Sequence, residues 1–145
     1  MSLDPARPAG ARQPDTVELL AQTAFTVMAV LTRLAADHDM SLTQLRVLGI
    51  LRDRAPRLVE LADFLGLEKS TMSGLVTRSE RRGLVVRTPD PADARATVVT
   101  MTDAGHALSG RVLDELHASL DPMIAGLDRE ERAALGLLLA RLAWS

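Results

Sequence analysis

The sequence predicts a mainly α-helical domain that carries one short β-hairpin. Apolar residues recur at helical spacing over most of the chain, and glycines and prolines mark the ends of the helical stretches. Two short segments, 84–87 and 97–101, are instead rich in β-branched residues, which favours strands. The 145 residues are 47% apolar and 25% charged, a composition typical of one soluble globular domain covering 1–145.

The composition excludes several kinds of site. The chain has no cysteine, so it forms neither a disulfide nor a thiolate metal site. Its histidines, His38, His106 and His117, lie far apart without metal-ligand spacing, and we expect neither a metal nor a cofactor. We expect no apolar run of the about 18 residues that span a bilayer. Residues 1–13 lack the apolar core of a signal peptide, so we expect a cytoplasmic protein.

Both ends of the chain carry more apolar surface than a small domain can bury alone. After an irregular arm, 1–14, the helical segment 15–37 has apolar residues at alternating gaps of three and four, the pattern of a helix packed lengthwise on another. In 103–145, a long helix that Pro122 should interrupt or kink precedes a last helix that is apolar on every side. We therefore interpret 15–37 and 103–145 as a helical region that forms a homodimer.

The middle of the chain, 41–101, has the pattern of a helix-turn-helix followed by a hairpin. Ser41 is placed to cap one helix, and Gly66 is placed to end a second, short one. A further helix over 69–82 follows after a turn of three or four residues, which is helix-turn-helix spacing. The prolines and aspartates of 89–93 predict a loop between the two strands. We therefore interpret this region as a winged helix-turn-helix that binds double-stranded DNA.

The helix over 69–82 has two contrasting faces. One narrow stripe, which we expect to be buried, consists of Met72, Leu75, Val76 and Ser79. The opposite face holds small hydroxyl residues, a glycine and arginines: Ser70, Ser73, Gly74, Thr77, Arg81 and, at its edge, Arg78. Small residues let a helix approach the major groove closely, and Arg pairs with guanine. The alternative is an ordinary amphipathic helix with a solvated polar face.

The distribution of charge is consistent with a DNA-binding centre, although the net charge of the chain is −2. Residues 69–95 carry six basic and three acidic side chains, between acidic ends. Lys69 and Arg87 flank the polar helix face, and we expect both mainly at phosphates.

Taken in order, these motifs resemble the MarR family of multiple antibiotic resistance regulators. The resemblance rests on Leu61-Ala62, Leu65-Gly66-Leu67, Ser70-Thr71-Met72-Ser73, Arg81-Arg82-Gly83-Leu84-Val85 with Arg87, Asp90-Pro91-Ala92-Asp93-Ala94-Arg95 and Thr102-Asp103-Ala104-Gly105. The chain departs from the family at Ser79 and Met101, where leucine is usual. The resemblance implies a triangular homodimer, a pseudo-palindromic operator and release of DNA by phenolic or other aromatic effectors. It also adds Thr71 to the DNA-binding set.

In the wing, Asp93 and Arg95 resemble the family pair that shapes the hairpin tip and reaches the minor groove. The carboxylate can orient the guanidinium, and a narrow minor groove attracts Arg. The alternative is a solvated surface pair worth about 0–1 kcal/mol, and for Asp93 a purely structural role stays open.

We therefore predict a DNA-binding transcriptional regulator, a repressor rather than an enzyme. The sequence has no catalytic glycine-serine elbow, phosphate-binding glycine loop or cysteine nucleophile. Two alternatives stay open: a winged-helix module that binds protein instead of DNA, and a regulator without an effector. With two Phe, one Trp and no Tyr, any ligand pocket should have mainly aliphatic and Met walls, with Arg46, Arg57 and His38 as candidate polar contacts.

Overall fold

The computed structural model describes residues 12–143, which form six helices and one two-stranded antiparallel sheet. In chain order these are α1 (Thr16–Asp37), α2 (Leu42–Leu51), α3 (Leu58–Leu65), α4 (Lys69–Arg81), β1 (Val85–Asp90), β2 (Asp93–Met101), α5 (Asp103–Ile124) and α6 (Arg129–Ala143). The predicted class, mainly α with a hairpin, is confirmed. Most of the predicted N-terminal arm, residues 1–11, lies outside the described residues.

Local side-chain hydrogen bonds and one glycine determine where the first three helices begin and end. The Asp15 carboxylate accepts from the backbone N–H of Glu18, and the Glu18 carboxylate accepts from that of Asp15. Ser41 and Gln44 form the same reciprocal capping box at the start of α2. Gly66 ends α3 at φ 65°, the left-handed conformation predicted for it.

The hairpin is longer than the sequence predicts. Pairing runs from Val85 with Met101 to Pro89 with Thr97, and the strands continue to a shifted register at the tip. The predicted loop of 89–93 is therefore wrong, because only residues 91–92 form the turn. In the described part of the chain, β1 has a strand neighbour on one side only. Proline, which has no N–H, is therefore tolerated at position 89, because no neighbouring strand on the outer side needs that donor.

The interruption predicted at Pro122 is also wrong, whereas the kink given as its alternative stays a prediction. Helix α5 continues through Pro122 and ends at Ile124. Proline has no N–H to donate to the Ala118 carbonyl and its ring crowds that turn, so α5 carries this cost near its C-terminal end.

The core lies where α2, α3, α4 and the hairpin meet α5. Its members include Val47, Leu48, Leu51, Leu61, Met72, Val76, Val85, Val99, Leu108 and Val112. The predicted stripe of α4 is buried, with Ser79 at 5% exposure and Met72 at 0%. This packing leaves the opposite side of α4 facing away from the protein.

Helices α1 and α6 bury little within the single chain. Only Leu34 and Ala35 of α1 are buried, no residue of α6 is, and Leu137 is 71% exposed. By length and composition α1 would also suffice to cross a membrane, so the expectation that no apolar run reaches that length is wrong. The core helix of a soluble protein can have the same length and mean hydropathy.

Candidate nucleic-acid interface

The outward side of α4 places the predicted DNA-contacting residues at different depths. Lys69, Ser70, Thr71, Arg78 and Arg81 are exposed. Ser73, Gly74 and Thr77 are half-buried. The exposed group lies toward the two ends of the helix, and the half-buried group lies at its middle, where β1 approaches.

The basic residues around α4 fall into two groups. Among the described residues, Lys69, Arg78 and Arg81 have no hydrogen bond or ion pair through their side chains. Arg82, by contrast, donates from both terminal nitrogens to the backbone carbonyls of His38 and Asp39, at 2.9 and 3.0 Å. The side chains of the first group are thus uncommitted within the described residues, whereas both terminal nitrogens of Arg82 already have acceptors.

Gly74 is not required by packing against any residue that the structure describes. A Cβ built there would meet only the Arg78 Nη1 atom, at 3.9 Å, which is ordinary van der Waals contact. Glycine inside a helix nevertheless costs about 1 kcal/mol relative to alanine. A position that loses stability with no steric need in the free protein suggests close approach by something outside it.

Arg87 occupies a different position from the exposed cations. Its backbone N–H and its Nη1 atom both donate to the Glu80 carboxylate. Its Nη2 atom lies 2.7 Å from the Ser73 carbonyl oxygen, 3.0 Å from Ser73 Oγ and 3.2 Å from Thr77 Oγ1. The side chain, expected at a phosphate, thus links β1 to the middle of α4 and is only 24% exposed.

The tip end of β1 is tied to the start of α3 by an ion pair that the sequence did not predict. The Arg57 Nε atom donates to Asp90 Oδ2, and the other carboxylate oxygen accepts from the backbone N–H of Ala92 at 2.9 Å. The Ala92 hydrogen bond, and then Arg57, hold the pKa of Asp90 below its ordinary value of 3.8. The hydrogen bond between Asp90 and Ala92 lies within one turn and could have been predicted from the local sequence. The pairing with Arg57 could not, because 33 positions separate the two residues.

At the wing tip the structure brings Asp93 and Arg95 together. Asp93 Oδ1 accepts from the backbone N–H of Arg95 at 3.0 Å and lies 3.4 Å from its Nε atom. The Arg95 side chain is 94% exposed. The carboxylate therefore holds the backbone of the tip while most of the guanidinium remains open to solvent.

The start of α5 fastens the hairpin to the rest of the chain. Thr102 Oγ1 donates to the carbonyl of Gly83 and accepts from the N–H of Gly105, which caps the helix. The Thr102 N–H donates to the Leu84 carbonyl at 3.0 Å. The Leu84 carbonyl oxygen approaches so closely that a Cβ on Gly105 would lie 2.1 Å from it. Glycine is thus required here by contact between two backbone segments.

An open cleft of about 1150 Å³ lies beside the helix-turn-helix, between α1, α2, α3 and α5. Apolar side chains form much of its wall, among them Met28, Leu31, Leu45, Phe64, Leu113 and Leu116. The Arg46 guanidinium, which also lines it, lies over the Phe64 ring at 5.6 Å from its centre. Of the other two candidate polar contacts, Arg57 pairs with Asp90, and His38 Nε2 lies 3.1 Å from the Glu115 carboxylate.

Comparison with known proteins agrees with this architecture. The MarR family model matches residues 38–96. The repressor NicR of Pseudomonas putida is 30% identical over 115 residues, which cover 79% of this chain and 73% of NicR. The regulator PecS of Dickeya dadantii is 26% identical over 127 residues, 85% of this chain and 76% of PecS.

Two solved structures extend the match to nearly the whole chain. BpsR of Bordetella bronchiseptica, reported with a mechanism for regulation of its DNA binding by 6-hydroxynicotinic acid, is 27% identical with a TM-score of 0.70, covering 94% of this chain and 99% of BpsR. NadR in complex with 4-hydroxyphenylacetate is 25% identical with a TM-score of 0.73, covering 94% and 98%. The chain therefore belongs to the MarR family of helix-turn-helix transcriptional regulators.

Proposed function

We propose that this regulator is a homodimeric repressor that binds a pseudo-palindromic operator. In this proposal α4 is the recognition helix and enters the major groove, while Arg95 of each wing reaches the adjacent minor groove. The relative NicR carries the name of a repressor, and the BpsR structure concerns regulated DNA binding. These relatives support the proposal, and the residues of α4 supply its physical basis.

The observation that carries the proposal is the combination of Gly74 with unpaired cations on one helix. Gly74 has room for a side chain in the free protein, and Arg78 and Arg81 have no carboxylate partner among the described residues. Both arginines also lie in the last turn of α4, where a positive charge interacts favourably with the helix dipole and stabilises the helix by about 0.3–1 kcal/mol. A helix that contacts DNA accounts for both features, whereas the dipole accounts only for the arginines.

The dimer in this proposal covers the apolar sides of α1 and α6. Several of their leucines are about half exposed or more in the single chain, for example Leu20 at 50% and Leu142 at 59%. A partner subunit would remove these side chains from water, and it would place two recognition helices about 34 Å apart, one turn of DNA. With α1 covered in this way the protein belongs in the cytoplasm, where cell fractionation should find it in the soluble fraction.

The effector in this proposal is a small aromatic acid or phenol that occupies the cleft beside α2 and α3. The cleft is largely apolar and large enough to admit such molecules, and Arg46 on its wall can meet a carboxylate. BpsR and NadR are each named with a hydroxylated aromatic acid. Adding 6-hydroxynicotinate or 4-hydroxyphenylacetate to the protein–DNA complex should release DNA and raise the melting temperature of the protein; no effect of either, or of related acids, would contradict this part.

The test of DNA binding separates stability from affinity with one methyl group. Gly74→Ala should stabilise the protein by up to about 1 kcal/mol, because alanine is the better helix former. It should weaken binding to DNA from upstream of the protein's own gene, measured by gel shift, because the added methyl blocks close approach. Gly110→Ala in α5, whose added methyl would have no heavy atom within 4 Å, is the matched control and should leave DNA affinity unchanged.

Arginine and lysine variants then separate base contacts from phosphate contacts. Arg78→Ala should cost about 1–3 kcal/mol, with the loss confined to one base position. Lys69→Ala should weaken all sequences alike and reduce the salt slope by about one. If Gly74→Ala and Arg78→Ala both bound the operator as wild type does, α4 would not be the recognition helix.

A further inference from the structure

Arg87 joins the wing to the middle of α4 through a cluster of polar contacts, and these contacts decide which hydrogen-bonding groups α4 can offer to DNA. The charge of Arg87 is compensated by Glu80, whose carboxylate is itself 30% exposed. The Nη2 atom is occupied by Ser73 and Thr77. An arginine with this set of partners has little left for a phosphate, unlike Arg95, which is 94% exposed.

The hydroxyl of Thr77 has no hydrogen to offer to an external acceptor. A hydroxyl group has one hydrogen and two lone pairs. Thr77 Oγ1 donates its hydrogen to the Ser73 carbonyl at 2.9 Å and accepts from Arg87 at 3.2 Å. Thr77 can therefore offer a base edge its methyl group and one remaining acceptor lone pair, but no donor.

Ser73 has the opposite character. Its Oγ atom accepts from Arg87 at 3.0 Å, and its hydroxyl hydrogen is donated to no other residue of the described chain. The Arg87 bond occupies an acceptor site on Ser73 and leaves its hydrogen available. Ser73 can therefore donate to an acceptor on DNA.

We propose that Arg87 is a positioning residue for base recognition: it holds Ser73 as a hydrogen-bond donor and leaves Thr77 to recognise DNA through its methyl group. In the major groove, a donor selects the acceptors O6 and N7 of guanine, N7 of adenine or O4 of thymine, and a methyl group favours the thymine methyl. This inference rests on the proposed DNA-binding function of α4. It assigns to Arg87 a contact within the protein in place of the phosphate contact that its position in the sequence suggests.

The first test removes one methyl group from the DNA. An operator selected by the wild-type protein is synthesised with each thymine replaced in turn by deoxyuridine, and affinities are measured by fluorescence anisotropy. At one thymine per half-site the wild type should lose about fourfold in affinity, which corresponds to about 0.8 kcal/mol for one buried methyl-sized group. Thr77→Val, which keeps a methyl without the hydroxyl, should retain this discrimination, and Thr77→Ser should lose it.

The second test distinguishes positioning from phosphate binding. In the double variant Glu80→Gln, Arg87→Gln the pair becomes neutral without leaving either charge unpaired, and circular dichroism checks that the variant is folded. Discrimination between thymine and deoxyuridine should fall in this variant, while the salt slope of binding should stay that of wild type. Ser73→Ala should abolish the effect of 7-deazapurine substitution, which removes the N7 acceptor, at one purine of the half-site.

The two levels of the argument fail in different ways. If the wild-type protein selected no DNA sequence, the proposed function itself would fail, and this inference with it. If the wild type selected an operator but Thr77→Ser still discriminated thymine from deoxyuridine, the inference alone would be overturned. A salt slope reduced by about one in the double variant, with base preference unchanged, would make Arg87 a phosphate contact and would also overturn it.

Discussion

Replacing Gly105 with alanine should destabilise the fold, because two backbone segments meet at this residue. The added Cβ would lie 2.1 Å from the Leu84 carbonyl oxygen and 2.5 Å from Met101 Cγ. Met101 can move, but the Leu84 carbonyl is held by the N–H of Thr102. Overpacking costs about 1–3 kcal/mol. Weakening of the Thr102 hydrogen bond adds a further loss of about 1 kcal/mol. Alanine gains about 1 kcal/mol as the better helix former. These two terms cancel, so the net loss of unfolding free energy should be about 1–3 kcal/mol.

Urea and thermal unfolding at one fixed protein concentration would measure this loss. For a chain of this length, 1 kcal/mol shifts the melting temperature by about 2–4 °C, so Gly105→Ala should melt several degrees below wild type. Gly110→Ala in the same helix has no heavy atom within 4 Å of the added methyl and should be slightly more stable than wild type. If the two variants behaved alike, the close approach at Leu84 would not restrict this position.

The remaining predictions concern the dimer, the Arg57–Asp90 ion pair and the exposed Arg95 of the wing tip. Leu138→Asp should give monomers in sedimentation, because the dimer would bury an unpaired carboxylate, whereas Val86→Asp on β1 should stay dimeric; a monomeric wild type would refute the dimer. Asp90→Asn should be less stable than wild type well above pH 3.8, and the difference should shrink as the pH falls through the lowered pKa of Asp90; a pH-independent difference would exclude the pairing with Arg57 as its cause. Arg95→Ala should stay folded, since the side chain is 94% exposed, and should lose affinity most on operators with A·T-rich flanks; equal affinity for all flanks would make the tip purely structural.

Short-range patterns in the sequence were sufficient for the helices and the buried side of α4. Apolar spacing placed Met72 and Val76 in the core, and it placed Ser79 there despite its hydroxyl. Caps such as Ser41 and the left-handed Gly66 act within a few residues of themselves, so their partners are adjacent in the chain. For the same reason the order of motifs was enough to indicate the family.

Only the tertiary structure separated residues that are alike in sequence. Arg78 and Arg87 are both arginines beside the same polar helix face, yet only Arg87 meets a carboxylate and two hydroxyl groups across the boundary between α4 and β1. Arg57 finds Asp90 although 33 positions separate them, and Gly105 is required by a carbonyl from the chain entering β1. Whether a charged side chain holds the protein together or remains available to DNA depends on which groups the fold brings within hydrogen-bonding distance. Residue type and local periodicity carry no information about partners so distant in the chain.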